Sequence, residues 1–124
     1  MKSIRILGAS YALLSVALGA FGAHALKEPL ESNKMLSVWK TAVDYQMWHA
    51  LAILAVSTTV SPGRFTKVSL VCFGLGIFLF SGSLYIIALG GPRWLGPITP
   101  IGGSLFLVGW AFLIASVARN DDST

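Results

Sequence analysis

The chain has 124 residues, of which 55% are hydrophobic and 11% charged, with a formal net charge of +4 and a mean hydropathy of +0.75. A soluble domain of this size needs polar side chains to cover its outside, and the chain holds too few. Its nine Lys and Arg residues stand singly at the ends of apolar runs with no basic stripe or reading motif, which argues against nucleic acid as a partner and suits phospholipid headgroups.

A helix needs about 20 apolar residues to cross the core of a bilayer. The stretches 6–25, 43–60, 68–89 and 98–118 meet that need, and none alternates as a barrel strand would. The expectation is an all-α polytopic membrane protein, a single integral domain over 1–124 built as a four-transmembrane-helix bundle.

In the first span, Lys2 and Arg5 precede the apolar run and "AHA" (23–25) imitates a signal cleavage site. The run is longer than the about 7–15 residues of a signal core. Gly8, Ala12, Ser15, Gly19 and Ala23 recur at three- and four-residue steps, a smooth face for close packing that a discarded signal would not need. The segment is therefore expected to stay as a span. Pro29 and the charges of Lys27, Glu28, Glu31 and Lys34 end it.

With Ser32 as an N-cap, Met35, Leu36, Trp39, Ala42, Val43 and Met47 follow at helical spacing. The stretch reads as a short interfacial amphipathic helix between spans one and two, or as a tilted extension of span two. Either way Asp44 and Gln46 are expected at the headgroup level, with His49 about one turn deeper. "SPGRFTK" (61–67) is a tight link whose Pro62-Gly63 pair marks a turn.

Span three sets Cys72, Gly76 and Ser83 on one face and Gly74 and Gly82 on another, so it is expected to pack against two neighbours. Cys72 is the sole cysteine, which rules out an internal disulfide and fits a small buried apolar residue. Thr99 followed by Pro100 is a cap-then-proline start for span four. Gly102, Gly103 and Gly109 would let that helix approach a neighbour closely. The tail "RNDDST" is polar. No internal repeat is found, which disfavours an inverted-repeat transporter.

With an even number of spans the termini share a side with the 61–67 link. That side carries Lys2, Arg5, Arg64, Lys67 and Arg119, against Lys27, Lys34, Lys40 and Arg93 on the other. The small excess points to cytoplasmic termini in a bacterial inner membrane.

The far side collects the distinctive residues, and a candidate functional face there comprises His24, Asp44, Tyr45, Gln46, Trp48, His49, Tyr85, Arg93 and Thr99. His24 and His49, expected at similar depth on successive spans, could ligate haem or a transition metal between them. Two imidazoles lack the further ligands of a closed zinc site, and no CxxCH is present, so no cofactor or metal is expected. Asp44, Tyr45, Gln46 and His49 could pass protons, yet tyrosine and tryptophan also belong in an interfacial belt. No span has a carboxylate at its middle, as a small drug–proton exchanger would need. Nucleophile elbow, phosphate loop, HExxH and paired carboxylates are all missing, so no enzymatic activity is expected.

Three blocks, "GAFGAHALK" (19–27), "TAVDYQMWHALAIL" (41–54) and "FSGSLYIIALGG…LGPITPIGG…GW" (80–110), together resemble the family of small membrane proteins called domain of unknown function 423. His24, Tyr45, Gln46, His49, Ser81, Gly82, Ser83, Tyr85, Pro97, Pro100, Gly102 and Gly103 match its motif positions. The resemblance implies an integral membrane protein of four helices and carries over no substrate, cofactor or catalytic residue. A structural or partner-binding role is the leading expectation, in contact with lipid and with other membrane proteins or a second copy of the chain. A small transporter or channel, and a haem-, metal- or quinone-binding protein using His24 and His49, are the alternatives.

Overall fold

The computed structural model describes residues 1–122, and these are helical throughout apart from their connections. In chain order they form α1 (Lys2–Ala23), α2 (Lys27–Ser32), α3 (Leu36–Thr59), α4 (Arg64–Ala88), a 3-10 turn (Arg93–Leu95) and α5 (Ile98–Asp122). α5 runs into the polar tail, whose last two residues, 123–124, lie outside the described residues.

Three segments, Lys2–Ala23, Arg64–Ala88 and Arg93–Arg119, are long and apolar enough to cross a membrane. α3 has 24 residues, about 36 Å at 1.5 Å per residue, but Lys40, Asp44, Gln46 and His49 make it more polar.

Of the two readings of 35–47, a separate interfacial helix or an extension of span two, the stretch takes the second: it is the first half of α3, which runs without a break from Leu36. The short helix lies earlier, at Lys27–Ser32. Pro29 sits in the first turn of α2, where its missing N–H is no loss, so it permits a helix there. Ser32 does not cap α3; its hydroxyl donates back to the Glu28 carbonyl at 2.9 Å. α2 ends when the Met35 N–H reaches the Leu30 carbonyl at 2.8 Å and the Lys34 N–H reaches that of Glu31 at 3.1 Å. This closing loop holds Lys34 at φ 58°. Gly90, at φ 89°, ends α4 in the same way, with the Gly91 N–H on the Ile86 carbonyl at 2.8 Å.

Successive long helices run antiparallel, as contacts between their opposite ends establish. The Arg5 guanidinium donates to the Ser57 carbonyl at 2.9 Å, joining the start of α1 to the end of α3. Ser81 donates to the Ala42 carbonyl at 2.7 Å, joining the end of α4 to the start of α3. The hydroxyls of Thr66 and Ser116, and those of Ser83 and Thr99, pair at 2.5 Å across the two ends of α4 and α5. α2 covers one end of the bundle, where Leu30 packs with Trp39 and Ala88. The main core, Ile53, Val56, Leu70, Phe73, Ile77 and Phe106, comes from α3, α4 and α5.

Large apolar side chains cover the outside while hydroxyls, an amide and an imidazole lie within. Leu13, Leu107, Ile114 and Phe78 are 68–73% exposed, while Ser57, Thr66, Ser69, Ser81, Ser83, Ser116, Gln46 and His49 are buried. Water outside would penalise that arrangement, whereas hydrocarbon outside favours it.

Candidate functional site

Gln46 and His49 stand three residues apart on α3 and so share a side of the helix. That side faces inward, and the two residues are 3% and 4% exposed. The His49 Nδ1 lies 2.8 Å from the Tyr45 carbonyl oxygen. A carbonyl can only accept, so Nδ1 carries the ring proton. Nε2 is then an acceptor and takes the Trp110 indole N–H at 3.0 Å. The imidazole lies flat on Phe106, with ring centres 3.7 Å apart and planes 11° apart. Both nitrogens of a neutral ring are thus engaged, and a proton added at Nε2 would confront the Trp110 donor.

Gln46 ties three helices together. Its amide donates to the Tyr11 carbonyl on α1 at 2.8 Å, and its oxygen accepts the Tyr85 hydroxyl from α4 at 2.6 Å. Tyr11 completes the link by donating to the Gly74 carbonyl at 3.0 Å. Trp39 anchors the end of the bundle, giving its indole N–H to the Leu18 carbonyl at 2.8 Å and meeting Tyr85 edge-on at 4.8 Å. The carbonyls of Tyr11, Leu18 and Gly74 each use a second lone pair, so a partner is gained with no helix bond broken.

The two histidines are not brought together. His24 is exposed at the end of α1, where neighbouring Gly22 lies against Trp39. His49 stands ten residues beyond Trp39, about 15 Å along the helix. The antiparallel register matches the end of α1 with the start of α3, so the expected equal depth fails. Among the described residues no three His, Cys, Asp or Glu side chains group to hold a metal ion.

Gln46, expected at the headgroups, is the eleventh residue of α3 (Leu36–Thr59) and lies well inside. Asp44 and Trp48 are exposed on the other side of that helix, and Tyr45 is half-buried beside them. Arg93 is exposed on the 3-10 turn. Thr99 does not cap α5, which already begins at Ile98; its hydroxyl is taken by Ser83.

Most of the expected small residues do sit in close contacts. Gly8 faces Ile53, Gly19 faces Val43, Gly74 faces Leu7, Gly76 and Gly109 lie under the rings of Phe106 and Phe73, and Gly102 meets the backbone of Phe80. Ser15 is buried, Ala12 half-buried and Ala23 exposed. Gly103 has only an ordinary contact, 3.7 Å from the Phe80 ring, and Gly82 has no neighbour within 4 Å. Consecutive helical residues differ by 100°. Ser81 is turned to α3 and Ser83 to α5, so Gly82 between them points away from both. Gly22 and the partners Phe106 and Trp110 escaped the sequence reading. A tryptophan midway along α5, far from any interfacial belt, was the available signal for Trp110.

A bundle whose buried amide, imidazole and most buried hydroxyls are paired inside, while large apolar side chains such as Leu13, Phe78, Leu107 and Ile114 face outward, is an integral membrane protein. The chain belongs to the family described as Protein of unknown function (DUF423), whose profile matches residues 18–103. It is 48% identical to a UPF0382 membrane protein of Staphylococcus haemolyticus, over 96% of this chain and 98% of the relative. Identity to the UPF0382 membrane protein YwdK of Bacillus subtilis is 42%, over 96% and 98% of the two chains. A UPF0382 membrane protein of Schizosaccharomyces pombe is 41% identical over 82% of this chain and 90% of its own. No solved structure matches.

Proposed function

We propose that the chain is a four-span component of the bacterial inner membrane, with both termini in the cytoplasm, that binds a partner by contact and performs no chemistry of its own. α3 is the polar second span, and its polar side chains are spent on holding α1, α4 and α5. One observation carries the reading: His49, the most reactive group of the interior, has both ring nitrogens engaged, leaving neither free for a metal or a travelling proton. The basic end with Lys2, Arg5, Arg64, Lys67 and Arg119 supports the orientation.

The contact surface is a lateral cleft of ≈ 550 Å³ between α3 and α5, walled by Tyr45, Trp48, Phe106 and Trp110 above Gly103. It opens beside the middle of α3 and the first half of α5 and has no charged side chain in its lining. An apolar, uncharged cleft facing the lipid suits an apolar helix, and the occupant in this reading is a membrane-spanning helix of the partner. A Cβ at Gly103 meets no backbone and Gly103 lines the cleft, so Gly103→Leu places its added carbons at the cleft wall. Co-purification in native lipid should yield a membrane protein, or a second copy of the chain, whose recovery falls roughly tenfold with Gly103→Leu, a change of about 1.4 kcal/mol. Equal recovery overturns the reading. So does ion or proton flux in proteoliposomes that His49→Ala abolishes, the result a small transporter would give.

A further inference from the structure

We infer that the end of the bundle where α4 begins and α5 finishes is a binding site for a phosphate group, of the kind an anionic phospholipid carries. A cavity of ≈ 290 Å³ lies there, closed by the 61–63 link on one side and the two helices on the others. Arg64 and Arg119 both line it, and no Asp or Glu does so among the described residues.

The two arginines come from different helices and border one cavity. The guanidinium of Arg119 stands 4.8 Å from the centre of the Phe65 ring, and Phe65 is itself braced edge-on by Phe112 at 5.5 Å. An arginine laid on an aromatic face keeps its outer N–H groups free to point elsewhere and has less freedom to lose on binding. The floor is neutral: Ser116 is paired with Thr66, whose hydroxyl also lies 2.9 Å from the Ser61 carbonyl.

A planar fork of donors matches phosphate oxygens in shape as well as charge, and two arginines bordering one pocket favour an oxyanion over a neutral headgroup. The setting agrees with that chemistry. Lys2, Arg5 and Lys67 belong to the same end, which carries five Lys and Arg against Asp121 and Asp122, whereas the other end carries Lys27, Lys34, Lys40 and Arg93 against Glu28, Glu31 and Asp44. On the proposed crossing of α4 and α5, the cavity lies at the level of the headgroups, where anionic lipid is concentrated on the cytoplasmic side.

Native mass spectrometry of the purified full-length chain tests the site, with phosphatidylglycerol, phosphatidylcholine and inorganic phosphate as separate probes. Phosphatidylglycerol should bind more tightly than phosphatidylcholine, and Arg64→Gln with Arg119→Gln should weaken it about tenfold, through the loss of two charge-assisted contacts. Lys67→Gln removes a charge at the same end but outside the cavity, and should leave binding unchanged. Displacement of the lipid by inorganic phosphate would make free phosphate the natural occupant; resistance to it would assign the site to the lipid. Either outcome supports phosphate recognition. Unchanged binding in the double variant, or an equal loss in Lys67→Gln, overturns it. Both arginines are exposed, so circular dichroism should show unaltered helix content, and Arg119→Gln alone gives a second measurement. The titration is done in detergent, so its failure leaves the crossing of the helices untouched.

Discussion

Gly102→Ala is expected to lower the unfolding free energy by about 2–3 kcal/mol, while Gly103→Ala leaves it unchanged or slightly raised. A Cβ at Gly102 would overlap the backbone nitrogen and Cα of Phe80 on α4. A side chain can swing aside, but a helix backbone moves only with its helix. The substitution therefore pushes α4 and α5 apart and loosens the contacts of Gly76 with Phe106 and of Gly109 with Phe73. At Gly103 the nearest atoms are ring carbons 3.7 and 3.8 Å away. Alanine fits there and is the better helix former by about 1 kcal/mol. Reversible unfolding in bicelles measures both variants, and equal destabilisation of the two would refute the close approach of α4 and α5.

His49→Ala is expected to cost about 2–4 kcal/mol, the sum of a stranded donor and a lost ring stack. Trp110 is 41% exposed midway along α5, so without Nε2 its indole N–H would face hydrocarbon, where no water can replace the lost partner. That loss accounts for about 1–3 kcal/mol, and the contact with Phe106 at 3.7 Å adds about 0.5–1.5 kcal/mol. The Tyr45 carbonyl keeps its helical partner, so the Nδ1 bond adds little. His49→Phe retains a ring against Phe106 and should lose only about 1–2 kcal/mol. Trp110→Phe placed on His49→Ala should cost less than it does in the native chain, because no donor remains to be stranded. Strict additivity of the two substitutions would contradict the bond.

The four long helices were legible because their apolar runs must reach a set length. Their ends were less so. Lys2 and Arg64 are helical, and nothing in their polarity forbids that where a helix leaves an apolar layer. α3 was the hardest to read. Gln46 and His49 display their polarity in the sequence, but their partners stand far along the chain: the Tyr11 carbonyl, 35 residues away, and Trp110, 61 away. A backbone carbonyl acting as acceptor has no residue signature, so an internal polar link reads as a surface-facing group. The same gap explains the glycines. Spacing alone shows which small residues share a face, as for Gly8 and Gly19, but not which arc of a helix meets a neighbour. Gly82 was included for that reason, and Gly22, whose contact is the Trp39 indole, was passed over. His24 and His49 were joined on an assumed equal depth that the register of α1 against α3 does not allow.

The polar helix α3 is the part of the account on which the rest depends, and its passage through the bilayer can be measured directly. On a Cys72→Ser background, single cysteines at Asn33 and Ser61 flank α3 at its two ends, both at exposed positions. A membrane-impermeant maleimide applied to intact cells should label one and not the other, with a cysteine at Trp94 behaving as the one at Asn33. Labelling of Asn33 and Ser61 from the same side would mean that α3 does not cross, and that Gln46 and His49 are not paired within a bundle surrounded by lipid.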